Sequence, residues 1–267
     1  MDLELKGKRA LVSGGSRGIG KAIARVLAQE GADVALLARD AQVLAAAAAE
    51  LAGETGSKVV GVRADTTRDK QVHIAVAEAA RLLGGPIEIL VNAAAEPAGF
   101  AAPPGLGEIT AEFFHAEMDT KVMGYIRCAR EVAPGMQAQG WGRIVNISGL
   151  AARQTGNAVG SMRNIAVAAL TKNLADELGP HGINVTVVHP GLTRTERTAP
   201  LVAARAAAQG VAPQAVEEQM AGGNSINRLI EASEVAQVVA FLCSPKSRAI
   251  NGDAIAVGGG APRGIHY

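Results

Sequence analysis

Eight residues near the start of the chain, Ser13-Gly14-Gly15-Ser16-Arg17-Gly18-Ile19-Gly20, have the types and spacing to hold a phosphorylated ligand. They follow the apolar run Ala10-Leu11-Val12 and open the helical pattern Lys21 to Gln29, a strand, a glycine turn and a helix in sequence. Glycines at such a junction let the backbone turn tightly and approach a pyrophosphate, whose charge is met by amide donors and by the positive end of the helix dipole. The expected ligand is therefore a dinucleotide. Proton chemistry has fewer candidates. Tyr125 stands four residues after Lys121, on the same helix face. Ser148 and Ser161 are alternatives, although an unassisted hydroxyl is a poor general acid near neutral pH, and His189 reads as structural. No His/Cys/Asp/Glu cluster has metal-ligand spacing, so no metal is expected.

The elements that would position these residues follow from periodicity. Short β-rich runs alternate with Ala-rich helical stretches, the pattern of a parallel sheet covered by helices on both faces. Strands are expected at Arg9 to Ser13, Asp33 to Ala38, Lys58 to Arg63, Ile87 to Asn92, Gly142 to Ser148, Asn184 to His189 and Ala254 to Val257. Seven strands suit an α/β, Rossmann-type doubly wound fold. The alanines at 45 to 49 lie between strands and read as a helix, not a linker. Two stretches interrupt the pattern, Glu96 to Gly107 and Thr195 to Asn227, each with prolines and glycines. Both follow strand ends, where ligands of open α/β sheets bind, so they are expected to wall the site, the second as a lid over 196–227, or to be plain insertions.

Composition narrows the class. The 267 residues are 48% hydrophobic, enough for one domain spanning 1–267 with a well-buried core. With 26 basic and 25 acidic residues, the formal charge of +1 gives no field favouring nucleic acid or an anionic membrane. A small-molecule substrate is expected. Cys128 and Cys243 fall in segments that read as buried helix and are expected to be reduced thiols. Without a membrane-length apolar run or a signal-like start, the expected location is cytoplasmic.

The chain resembles the short-chain dehydrogenase/reductase family over nearly its whole length. The resemblance rests on Gly14-x-x-x-Gly18-x-Gly20, on Asp65 after the third strand, and on Asn92-Ala93-Ala94-Ala95 after the fourth. It continues through Gly142 to Ser148, Leu170 to Leu178 and Pro190-Gly191-Leu192-Thr193-Arg194-Thr195; the last strand ends with Gly258 where Asp is usual. The resemblance implies an oxidoreductase that moves a hydride between a nicotinamide cofactor and a carbonyl or alcohol, and assembly as a dimer or tetramer. By the same resemblance Gly14, Ser16, Arg17, Gly18, Ile19, Gly20, Asp65, Thr66, Asn92, Ala93, Pro190, Gly191, Thr193 and Thr195 are cofactor-binding positions.

Cofactor choice turns on the end of the second strand. NAD-preferring enzymes place a carboxylate there, whereas a 2′-phosphate needs a cation. Ala38 stands at the acid's position and Arg39 follows; with Arg17 it would clamp a phosphate, which points to NADP. In the alternative, Arg39 is solvated and Asp40 takes the ribose.

The family's Asn, Ser, Tyr and Lys are not in place. Anchoring on Leu170 to Leu178 puts Gly160 at the Tyr position and Asn164 at the Lys position; counting forward from Ser148 gives Met162 and Ala166 instead. Lys121 stands at the Asn position, so Lys and Asn have exchanged helices. The expected catalytic set is Lys121, Ser148, Asn164 and Tyr125, with Lys121 supplying a cation near the substrate oxygen or ribose and Asn164 bonding the ribose. Phe113, Phe114, Leu201 and Val202 suggest a small, mainly apolar substrate. Two other classes stay open: an NADP-binding protein without redox turnover, and a non-redox isomerase or dehydratase on the same fold.

Overall fold

A computed structural model describes residues 1–96 and 102–261. The first half alternates strictly: β1 (Arg9–Ser13), α1 (Gly18–Gln29), β2 (Asp33–Ala38), α2 (Ala41–Thr55), β3 (Val59–Arg63), α3 (Asp69–Leu83) and β4 (Ile89–Asn92). The second half opens with one long helical run, α4 (Ala111–Met118), a π turn (Asp119–Met123) and α5 (Gly124–Gln139). β5 (Gly142–Ile147), α6 (Ala158–Leu178) and β6 (Ile183–Pro190) follow. The rest comprises β7 (Thr193–Arg194), α7 (Thr198–Gln209), α8 (Pro213–Ala221), β8 (Ile230–Glu231), α9 (Ala232–Cys243) and β9 (Ala254–Val257). Seven strands form one parallel sheet in the order β3-β2-β1-β4-β5-β6-β9, and β7 pairs with β8 apart from it.

A parallel sheet covered on both faces must bury both sides of every strand, and the alternation shows which side each residue serves. Ala10 and Val12 pack with α1, α2 and α9, whereas Leu11 between them packs with α3 and α5. Leu36 and Val91 share the first face; Leu37 and Leu90 share the second. Cys128 and Cys243 are free and lie one on each face. Burial pushes both thiols up to about 12, so neither is nucleophilic near neutral pH.

The expected doubly wound sheet is the observed one, with strand ends differing by one or two residues from those read by periodicity. The chain leaves β1 toward β2 and β3, then crosses to β4 and winds the other way. Register sets Ser13 beside Leu37 on one side and Asn92 on the other, with Asn146 next in line. The crevice at this reversal is where an open α/β sheet receives its ligand. Within the Thr195 to Asn227 stretch, α7 and α8 pack on one another through Val202, Ala206 and Val216. Pro97 and the rest of 97–101 lie outside the described residues.

Candidate active site

A cleft of ≈ 850 Å³ opens over the carboxyl ends of the strands. Its floor begins at the glycine turn. Gly14 has φ +68, and a Cβ there would lie 2.8 Å from Ala93 O and Ala94 N; a Cβ on Gly20 would lie 2.3 Å from Gly14 O. These contacts lock the turn onto β4 and seat α1 under it, so neither Gly14 nor Gly20 can carry a side chain. The Gly18 amide points into the cleft, where both carboxylate oxygens of Glu196 accept from it, at 3.0 and 3.1 Å. An acidic side chain thus accepts from this amide, as the positive end of a helix dipole favours.

At the β2 end, Arg17, Arg39 and Asp65 all line the cleft. Arg39 donates to Glu96 at 3.1 Å, and Arg17 stands 3.7 Å from Asp40; all four side chains are partly solvated, so each pair is weak. Asp40 is committed elsewhere, since its Oδ1 caps α2 by accepting from Gln42 N and Val43 N. Burial opposes ionisation of Asp65, yet donation from the Thr67 amide and hydroxyl, with Arg39 and Arg68 nearby, holds its carboxyl below the usual range. Arginines and a permanent carboxylate can share a purine nucleoside with a 2′-phosphate. The glycine turn, the amide donor and these groups fit a dinucleotide.

The opposite end brings Lys121, Ser148 and Asn164 together. Lys121 is 4% exposed and lies in the π turn. Its Nζ donates to Ser148 O at 2.9 Å and to Asn164 Oδ1 at 3.1 Å. An ammonium has three donors, of which these bonds use two, and Lys121 lines the cleft. Burial, reinforced by Arg163 and opposed by Glu117, lowers its pKa to about 7. Of the two α6 positions in question, Asn164 lines the cleft while Met162 points to solvent. Ser148 also lines the cleft, but its hydroxyl donates to Asn164 O at 3.0 Å and ties β5 to α6.

Gly160 is buried at the head of α6, and the reason for glycine there is local. Asn157 caps the helix, accepting from Gly160 N at 2.8 Å, and its side chain folds over the glycine. A Cβ on Gly160 would meet the Asn157 amide at 2.6 Å. Gly160→Tyr is accordingly expected to evict the cap, to cost about 1 kcal/mol of stability, and to leave turnover no higher. Thermal unfolding and NADPH oxidation check the two halves.

Three expectations need correction. Tyr125 does share a face with Lys121, but it is 1% exposed, packed with Val167 and Val187, and its hydroxyl donates to Ile147 O at 2.8 Å. Lys121 and Tyr125 thus reach consecutive carbonyls of one strand end, Ser148 O and Ile147 O, and the tyrosine, one helical turn on, is tethered below the floor. Burial also raises the phenol pKa well above its ordinary value. Asn92 does not line the cleft either; it donates to Asn146 Oδ1 at 2.9 Å, bracing β4 to β5. Of the apolar residues expected around the substrate, Leu201 lines the cleft, whereas Val202 is inside the α7–α8 contact and neither Phe113 nor Phe114 reaches it. The remaining predicted cofactor positions, from Gly14 to Thr195, all line it. His189 lies beneath, accepting from Gly149 N at 3.4 Å; burial first, with Arg153 and Lys121, lowers its pKa to about 4, so it stays neutral. His266 and Tyr267, which could reach a neighbouring subunit, lie outside the described residues.

Sequence reasoning missed Glu196, Arg163 and Glu117. Glu196 follows Thr195 directly and Arg163 precedes Asn164, so adjacency was the available signal. Glu117 had none, since its relation to Arg163 spans 46 residues.

A parallel sheet reversed between β1 and β4, with a glycine turn and an exposed amide at the reversal, defines a Rossmann-type dinucleotide protein. The enoyl-(acyl carrier protein) reductase family model matches residues 14–262. Human dehydrogenase/reductase SDR family member 4 is 35% identical over 260 residues, covering 97% of this chain and 88% of its own. The 3-oxoacyl-[acyl-carrier-protein] reductase FabG of Aquifex aeolicus is 32% identical over 264 residues, covering 97% and 99%. L-sorbose reductase from Gluconobacter frateurii, solved with NADPH and L-sorbose, superimposes with a TM-score of 0.91 at 30% identity, over 99% of this chain and 100% of that one. The chain belongs to the short-chain dehydrogenase/reductase family. Among the described residues no helix is long and apolar enough to cross a membrane.

Proposed function

We propose that the protein is an NADPH-dependent reductase in which Lys121 does the proton work that the family resemblance assigns to a tyrosine. The observation that carries this reading is the Lys121 ammonium itself, inside the cleft and held by Ser148 O and Asn164 Oδ1. Arg17 and Arg39 would bind the 2′-phosphate, Gly18 N the pyrophosphate, and Asp65 and Thr66 the adenosine side. Asn164 and Thr195 would orient the nicotinamide ribose and ring. When bound, the cofactor supplies a hydride. Lys121 gives a proton from Nζ to the substrate oxygen, and its near-neutral pKa suits that transfer. Leu201 and Met220, from α7 and α8, close the outer wall and would exclude water as a lid.

The test is a titration of the purified protein with NADPH and with NADH, followed by fluorescence, and then absorbance loss over a panel of carbonyl compounds. Tight NADPH binding with oxidation supports the reading. Binding without oxidation across the panel would favour a non-redox role.

Glu196 supplies a further check on the cofactor site. Its carboxylate competes for the Gly18 amide and repels a pyrophosphate, so Glu196→Gln is expected to tighten NADPH binding about three- to tenfold. An unchanged or weakened dissociation constant in the same fluorescence titration would contradict the assigned pyrophosphate position.

A further inference from the structure

Beside Lys121 the cleft is lined by a second cation, Arg163. It precedes Asn164 on α6, and it is close enough to depress the Lys121 pKa. Its Nη1 donates to Glu117 on α4 in an ion pair, with the two side chains 13% and 16% exposed. That pair leaves the guanidinium only partly used. The Arg163 Nε is buried and has no acceptor among the described residues. A buried donor without a partner is costly to keep, so an arginine held in this state at a cleft wall is suited to an incoming acceptor. Geometry says which kind. Nε–H and the neighbouring Nη2–H point to the same side of the planar group and match the two oxygens of a carboxylate, while Glu117 holds Nη1 on the other side. Charge agrees, since protonated Lys121 and Arg163 exceed Glu117 by one.

We propose that Arg163 binds a carboxylate standing next to the carbonyl on which Lys121 acts, so that the substrates are oxo acids and not neutral ketones or aldehydes. The assignment of the carbonyl rests on the reductase reading; the assignment of the carboxylate rests on Arg163. Glu117 then tunes the site, lowering its affinity for anions while keeping the arginine in place. Leu201 and Met220 remain available to an apolar substituent on the far side of the acid.

Calorimetric titration of the NADP-saturated protein with unreactive acids and their neutral counterparts tests the proposal: oxamate against oxamide, and malonate against malonamide. The acid of at least one pair should bind about tenfold or more tightly than its amide, the scale of one charge-assisted pair. Arg163→Lys keeps the charge and the Glu117 pair but loses the fork, and should weaken acid binding about tenfold. Glu117→Gln should act in the opposite direction and tighten it, a sign that a merely structural ion pair would not produce. Equal binding of acids and amides, absence of binding by either acid, or weaker acid binding in Glu117→Gln would overturn the proposal. Oxidation of NADPH by neutral ketones alone would remove the carboxylate assignment and leave the reductase reading standing. Acid binding without NADPH oxidation by any oxo acid would do the reverse.

Discussion

Replacement of Lys121 by methionine is expected to lower turnover by about 10²- to 10⁴-fold, the range supplied by a positioned general acid, with NADPH affinity changed far less. Methionine fills a similar volume but carries no proton, so the loss falls on kcat. The wild-type pH profile should carry the same signature. Reduction needs the ammonium form, and the Lys121 pKa is about 7, so the rate of carbonyl reduction should fall as pH rises through that value. Alcohol oxidation needs the free amine and should rise. The groups facing Lys121 are Arg163 on α6, Glu117 on α4 and His189 on β6; His189 titrates near 4 and stays neutral across this window. A flat profile, or a Lys121→Met variant with wild-type kcat, would remove Lys121 from the mechanism.

Stability gives a second, activity-free reading of the same residue. The folded pKa of about 7 lies below the 10.5 of a solvated lysine, so folding is penalised in full below pH 7, where both states are protonated. Between 7 and 10.5 the folded state has lost its proton and the unfolded state has not, and the penalty shrinks. The methionine variant should therefore unfold at higher denaturant than wild type at pH 6, and the gap should close as pH approaches 10.5.

Gly14→Ala is expected to lose measurable NADPH binding and about 2–5 kcal/mol of stability. A left-handed backbone costs an L residue about 1–2 kcal/mol, and forcing a methyl into a filled space costs about 1–3 kcal/mol more. At Gly14 both apply, because φ is +68 and the new Cβ would sit 2.8 Å from Ala93 O and Ala94 N. Those are backbone atoms of the strand end and cannot rotate away. Gly56 provides the control: φ is +71, but nothing lies within 4 Å of its Cβ position. Gly56→Ala should lose only the conformational part and keep its cofactor affinity. Urea unfolding of the two variants separates the terms; equal losses would mean that the turn relaxes and that β4 does not hold it.

Much of this site was legible in the chain because its signals are local. The glycine turn is contiguous, and each helix cap lies within a few residues of what it satisfies, as with Asp40 and Val43 or Asn157 and Gly160. Short, nearly continuous apolar runs placed the strands, since both sheet faces are buried. Lys121 and Asn164, the residues of the proposed exchange, were also visible in the chain. Harder to see was how far each side chain reaches. Lys121 and Tyr125 read alike on a helical face, and only the height of the strand end beside them separates an ammonium in the cleft from a phenol tethered below it.

By itself, then, the sequence determined the doubly wound sheet, the position of the dinucleotide crevice and the absence of a Tyr-x-x-x-Lys pair, because each depends on residue type and short-range spacing. The tertiary structure alone decided which polar groups share a solvent-poor volume. It joined Lys121 to Asn164 across 43 residues, Arg163 to Glu117 across 46 and Glu196 to the Gly18 amide across 178. Charges and donors shift pKa values and select ligands by distance through space and by burial, and neither is encoded in the spacing along the chain.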